Sequence, residues 1–312
     1  MNRVYRKSPF WSLAGPFLGY LGIQFAVQFI AQSVLEMPYL LRAYGEMFRS
    51  SRNTAPDIQE LWSVYFQTME PAFEAIARHQ VEIVTISALC TIILTGILFA
   101  RDRKLEQKAG IAAAEKAPVS KYWTVVVFGI AGCIAATCLM AMVQLAFYDE
   151  QYQQTAQITY SAGLLVQVIG LGIVIPTAEE LMFRGILYKR FRERQGFWYS
   201  ALWSSLLFSL MHSNTTQMIY TFLLGVLLSY LYEKFGSFRA PAALHILLNT
   251  GSVVFTELGV FRWLAGSPAR IAGAVIAGTF LCSVMFVQIQ KMPVKIKAQQ
   301  NADNADRTDM FS

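Results

Sequence analysis

The sequence predicts an all-α polytopic membrane protein with about eight transmembrane helices. Three observations carry this expectation. Of 312 residues, 55% are hydrophobic and only 15% are charged, against about 25% charged in soluble domains. Apolar runs of bilayer-spanning length recur along the chain. None of them has the strict alternation of a transmembrane β-strand. The net charge of +6 does not gather on one face, as a nucleic-acid surface would. Basic residues sit between apolar runs, where they act as topology signals.

The first transmembrane helix is expected within residues 1–35. Residues 8–35 hold no charge and follow Arg3, Arg6 and Lys7. The run is too long for the apolar core of a signal peptide, so it reads as a retained span. Gly15 and Gly19 form one GxxxG, a helix-packing signal of low specificity. Residues 36–82 read as an external segment with seven acids and four arginines. Within it, 60–78 has the character of an amphipathic helix lying against the membrane. Residues 83–157 supply helices two and three, at about 83–100 and 122–148.

Residues 158–256 read as the core of the molecule. The fourth run covers 158–183, the fifth 197–212, the sixth 217–232 and the seventh 240–255. Residues 257–290 hold the last helix, at about 271–288. The stretch 291–312 is polar and poor in large apolar groups, and reads as a disordered cytoplasmic tail. The four cysteines at 90, 133, 138 and 282 all fall in apolar runs without zinc-site spacing, and read as small buried hydrophobes. Residues 101–121 hold six Lys/Arg against three acids, and Lys189, Arg190, Arg192 and Arg194 follow the fourth run. The positive-inside rule then puts both termini in the cytoplasm. Short loops suggest a bacterial cytoplasmic membrane.

Polar side chains inside spans are costly, so they pair, line cavities or do chemistry. Three groups stand out. Glu179, Glu180 and Arg184 close the fourth run. Glu180 and Arg184 are one turn apart and share a face, whereas Glu179 points about 100° away. This assigns Glu180 to structure and leaves Glu179 as a carboxylate able to accept a proton in a partly dry cavity. Phe208 and His212 are one turn apart in the fifth run. His245 and Asn249 are one turn apart in the seventh. Counting from the turn near Gly196, Glu179 and His212 come out level, about 25 Å from it at 1.5 Å per residue. His245 lies only about 14 Å past the Phe235–Gly236 turn by the same count, so either its helix begins deeper or its neighbours project further.

One carboxylate, two imidazoles and an amide suit the activation of water. Glu179 takes a proton, His212 holds the water, and His245 with Asn249 donates hydrogen bonds to an oxyanion. HExxH is missing. Zinc on Glu179, His212 and His245 is the alternative use of the same groups. GxSxG is absent, and the apolar runs hold no aspartate pair, which argues against serine and aspartyl mechanisms.

The combination of EExxxR (179–184), FxxxH (208–212) and HxxxN (245–249), each on its own run, resembles the CAAX-processing and bacteriocin-processing (CPBP, or Abi) family of intramembrane proteases. The likeness covers roughly residues 160–255. It implies a CPBP helical bundle and an endopeptidase with a cavity open to the cytoplasmic side. It further implies Glu179 as base, His212 as water holder, His245 and Asn249 as the oxyanion site, and Glu180, Arg184 and Phe208 as supporting residues. Members of the family have been described both as zinc enzymes and as metal-free glutamate proteases. The metal-free form is favoured because carboxylate and oxyanion donors together employ all four groups. The implied partner is a peptide or membrane-protein substrate, lipidated in the eukaryotic members, with no nucleic acid. The competing class is a non-enzymatic transporter, or an immunity or scaffold protein, that uses the same polar cluster. A lipid-modifying enzyme is a third reading.

Overall fold

The computed structural model describes residues 8–53, 57–111, 113–146 and 148–294. Arg3, Arg6, Lys7 and the tail beyond residue 294 lie outside the described residues. The fold is all-helical, as the apolar runs require. We number its helices α1 (Pro9–Asn53), α2 (Ile58–Arg78), α3 (Gln80–Lys108), α4 (Trp123–Ala146), α5 (Glu150–Thr159), α6 (Leu164–Arg192), α7 (Phe197–Ser209), α8 (Thr215–Phe235), α9 (Arg239–Glu257), α10 (Val260–Ala265) and α11 (Pro268–Gln290).

Among the described residues, six helices are long and apolar enough to cross a membrane: Pro9–Ser51, Gln80–Lys108, Val119–Gln144, Leu164–Arg192, Thr215–Phe235 and Pro268–Gln290. The chain is thus an integral membrane protein, with six candidate spans among the described residues where about eight were expected. The two runs that drop out are α7 and α9. α7 has 13 residues, short of the roughly 20 a bilayer core needs. α9 has 19 residues, but Arg239, His245, Asn249 and Glu257 dilute its apolar character. Both are motif-bearing elements packed into the bundle.

The first helix also departs from expectation. It does not stop at residue 35 but continues to Asn53, 45 residues in all. That is about 68 Å at 1.5 Å per residue, more than twice a hydrocarbon core of about 30 Å. Glu36, Arg42, Glu46 and Arg49 interrupt the apolar run without interrupting the helix, because charged side chains on a helix need only water around them. α2 folds back along α1, and Thr68 Oγ1 donates to Glu46 at 2.8 Å. The amphipathic segment at 60–78 therefore rests on the extension of α1.

The centre of the molecule is α6, with α3, α7 and α9 packed against it. It is a continuous helix with two stretches of wider π-type turns, Val168–Val174 and Leu181–Tyr188. The first has a sequence cause. Pro176 has no N–H and its ring clashes with the carbonyl four residues back, so the turns before it open. Ile175 N–H bonds Gly170 O, five residues earlier. In that register the carbonyl of Leu171 would look to residue 176, which is proline. Glycine at 170 and 172 admits neighbours here: a Cβ on Gly170 would run into Thr85 Oγ1 of α3, and one on Gly172 would sit 2.5 Å from Thr250 Oγ1 of α9.

Two main apolar clusters hold the bundle together, and the first is centred on α6. Tyr20, Met182, Phe183, Ile186, Leu187 and Phe208 tie α1 and α7 to it. Val125, Leu228, Leu231, Phe235, Ala240, Leu244 and Ile289 join α4, α8, α9 and α11. The turn between α8 and α9 belongs to the second cluster. Gly236 ends α8 in the left-handed conformation at φ 63°, and Phe235, Ser237 and Ala240 are buried. α9 therefore begins among buried side chains.

The basic end of α6 is more than a topology signal. The Arg190 guanidinium pairs in two-pronged fashion with Asp102 of α3, Nε to Oδ2 at 2.7 Å and Nη2 to Oδ1 at 3.0 Å, and also donates to Ser12 O of α1. Arg192 Nε pairs with Glu233 of α8 at 2.7 Å, and the Tyr188 hydroxyl donates to the same carboxylate oxygen at 2.6 Å. Lys189 pairs with Glu106.

Candidate active site

Glu179 and Glu180 lie at the end of the ordinary α-helical turn between the two wide stretches of α6. The expected i,i+4 pair forms: Arg184 Nη1 donates to Glu180 Oε1 at 2.8 Å, with both side chains fully buried. Arg184 also donates through Nη2 to Gly225 O of α8 at 3.0 Å. Its guanidinium carbon stands 4.7 Å above the Phe208 ring. Gly225 is the reason α8 comes this close. A Cβ there would fall 2.7 Å from Ser205 Cβ and 3.0 Å from Arg184 Nη2.

His245 joins both glutamates. Its Nδ1 is 3.1 Å from Glu180 Oε1 and its Nε2 is 3.8 Å from Glu179 Oε2. The His245 side chain is 5% exposed and that of Glu179 15%, against 0% for Glu180, so Glu179 is the more exposed of the two acids. A carboxylate only accepts, so Nδ1 carries a proton toward Glu180. The second contact is too long for a direct hydrogen bond. Reading Glu180 as structural from the sequence overlooked this contact, because nothing in a single sequence pairs residues 180 and 245.

Phe208 lies between the imidazoles, edge-on to both, with ring centroids 5.2 Å from His212 and 5.8 Å from His245. Its ring is also 5.2 Å from Phe183. His212 is not on a helix. α7 stops at Ser209, and His212 sits in the turn that follows, its N–H bonding Ser209 O and its Nδ1 3.3 Å from Phe208 O. Among the described residues no hydrogen bond joins His212 to Glu179. The signal for this stop was present: Asn214 followed by Gln217 has helix N-cap spacing, and Asn214 Oδ1 accepts from Gln217 N at 2.8 Å to begin α8.

Asn249 turns one amide N–H toward α6, where Nδ2 donates to Leu171 O at 3.2 Å. This is the carbonyl that Pro176 cannot serve. Tyr20 of α1 and Tyr220 of α8 were not singled out by sequence, yet both lie within electrostatic range of Glu179. An aromatic in an apolar run carries no mark that distinguishes it from core.

Among the described residues no three or more His, Cys, Asp or Glu side chains are grouped so as to hold a metal ion. The zinc arrangement through Glu179, His212 and His245 is therefore not formed here. His245 Nδ1 is already engaged by Glu180.

The site as a whole brings one partly exposed carboxylate, a buried acid–arginine pair and two imidazoles around one phenylalanine. Comparison with known proteins points the same way. A protein of Bacillus subtilis (strain 168) named "Putative membrane peptidase YdiL" is 26% identical over 116 residues, 37% of this chain and 47% of that protein. The match thus spans about half the length of this relative. No solved structure gives a significant match. Residues 161–251 match the family described as "Type II CAAX prenyl endopeptidase Rce1-like". That segment contains all three motifs, and the Rce1-like, CPBP assignment applies to residues 161–251.

Proposed function

We propose that this protein is an intramembrane endopeptidase that hydrolyses a peptide bond with a water activated by Glu179. The observation that carries the reading is the double approach of His245 to Glu180 and Glu179. It joins the first and third motifs into one polar cluster, and Phe208 links the second to it.

The chemistry follows from charge. Glu180 is paired with Arg184 and committed to Nδ1 of His245. A second proton on Nε2 makes His245 an imidazolium. Two carboxylates, a guanidinium and an imidazolium then sum to zero, the balance that buried charges require. In this state Nε2–H is a donor beside Glu179. A water near Glu179 gives up its proton to that carboxylate as it attacks the peptide carbonyl. Negative charge builds on the carbonyl oxygen and is met by Nε2–H of His245 and by the second N–H of Asn249. Glu179 returns the proton to the leaving amine. His212 holds the attacking water. The expected substrate is a membrane-associated peptide, lipidated or not.

The test is reconstitution in lipid vesicles with a peptide library. Glu179→Gln is expected to lower cleavage by about 10²–10⁴, the usual worth of a general base, and a chelator is expected to leave cleavage unchanged. Cleavage by the variant at the wild-type rate overturns the reading.

A further inference from the structure

We propose that the short helix α5 is a clamp on the turn that carries His212, and that Asp149 and Gln151 are positioning residues for that imidazole. The proposal rests on the peptidase reading above for its catalytic part alone.

His212 sits in residues 210–214, between the end of α7 and the start of α8. A five-residue connection has no ladder of its own to fix a side chain. Two bonds from the start of α5 fix this one, one on either side of Asn214. Gln151 Nε2 donates to Ser213 O at 2.9 Å, the carbonyl next to His212. Thr216 Oγ1, in the first turn of α8, donates to Asp149 Oδ2 at 2.6 Å. The other oxygen of the same carboxylate caps α5 by accepting from Tyr152 N at 3.0 Å. One carboxylate thus ties the first turns of two helices together. Asp149 is in turn held by Gln144 of α4, whose Oε1 accepts from Asp149 N at 3.2 Å.

Beyond its far end, α5 is moored to the other histidine-bearing element. Tyr160 OH and Ser252 Oγ of α9 are 3.0 Å apart, and Ser252 is three residues beyond Asn249. Gln167 Nε2 of α6 donates to Tyr160 O at 3.3 Å and Ala162 O at 2.6 Å. α5 therefore runs from the turn holding His212 to the helix holding His245 and Asn249. The strap fixes the separation of two elements that, among the described residues, share no hydrogen bond through His212 itself.

The experiment combines hydrogen exchange with cleavage kinetics on the full chain in lipid nanodiscs. Gln151→Ala and Asp149→Ala are expected to speed exchange of the amides at 210–217, with exchange in α6 and α9 unaltered. In the same preparations kcat is expected to fall on the order of 10-fold with KM held, a fraction of the 10²-fold that a misplacement of about 1 Å costs. Gln154→Ala, whose side chain bonds Glu150 on α5 itself, is expected to leave both readouts at wild-type values. Unchanged exchange at 210–217 in both variants overturns the clamp. Faster exchange with kcat intact overturns the positioning role. If the wild type cleaves none of the peptides, the peptidase reading fails, and the exchange result alone supports or overturns the clamp.

Discussion

His245 Nδ1 and Glu180 Oε1, 65 residues apart in sequence, lie 3.1 Å apart in the core. The same oxygen receives Arg184 Nη1 at 2.8 Å. Glu180 is thus the junction of the site: it neutralises one cation and decides where the proton of His245 resides. The imidazole can offer only Nε2 to anything beyond, and Nε2 faces Glu179.

Removing that junction is expected to be costly. Glu180→Ala leaves the fully buried Arg184 without its counter-charge. Breaking a buried ion pair from one side costs about 3–5 kcal/mol. Glu180→Gln keeps the shape and an acceptor oxygen, and is expected to lose clearly less stability while still losing most activity, since a neutral amide supports an imidazolium poorly. Unfolding in detergent measures both. Equal stability of the two variants argues against a charge role for Glu180.

Gly225 is expected to be a site residue without touching substrate. In Gly225→Ala the new methyl meets Ser205 Cβ at 2.7 Å and Arg184 Nη2 at 3.0 Å. Overpacking of this kind costs about 1–3 kcal/mol, and the displaced guanidinium loosens Glu180. Adding Ser205→Gly removes the closer clash and is expected to recover part of the stability. No recovery in the double variant, measured by thermal melting, shows that the Ser205 contact is not the cause.

Much of the site was legible because helical spacing alone brings certain side chains together. Glu180 with Arg184 needed only the turn of one helix, and the reading of Glu179 as the odd acid needed only the 100° step. Contacts between helices were not legible. Nothing in one sequence pairs Arg190 with Asp102 or Arg192 with Glu233, so the two arginines read as loop signals and proved to be buried ties across 88 and 41 positions. His212 was read onto a helix because apolar residues continue through Met211, although Asn214 and Gln217 announced a new helix start. The length of α1 was hidden for the opposite reason: charges after residue 35 looked like an end, but a helix leaving an apolar layer keeps its own hydrogen bonds.

Acid is expected to loosen α5. Asp149 accepts from Thr216 Oγ1 and from Tyr152 N, and these bonds hold its carboxyl below the usual aspartate range. A group with a depressed folded pKa stabilises above its unfolded pKa, and the contribution is lost as pH falls through the folded value. Docking of α5 should therefore be at full strength above about pH 4, the ordinary aspartate pKa, and weaken below it. Asp149→Asn should remove that dependence from the exchange of amides 150–159. A wild-type acid response that persists in the variant assigns the effect to another group.

The last expectation concerns Asn249 and Pro176, which the structure couples through a single carbonyl. Pro176 has no N–H, and Ile175 N–H is spent on Gly170 O, so Leu171 O depends on Asn249 Nδ2 at 3.2 Å. Asn249→Ala removes that donor and leaves a partly buried acceptor unmet, a loss of about 1–3 kcal/mol. Pro176→Ala supplies a backbone N–H within the same helix and lets the wide turns close toward a regular ladder. Leu171 O then has a partner without Asn249. The two substitutions should not add: Asn249→Ala is expected to cost at least about 0.5 kcal/mol less in the Pro176→Ala background, the lower end of coupling between residues that share a partner. Catalysis is expected to behave differently from stability. Closing the wide turns rotates Glu179 relative to His245, so Pro176→Ala should lower cleavage even as it relieves the need for the amide. Strict additivity in unfolding free energy would mean that Asn249 does not serve Leu171, and that both of its N–H groups are free for the oxyanion.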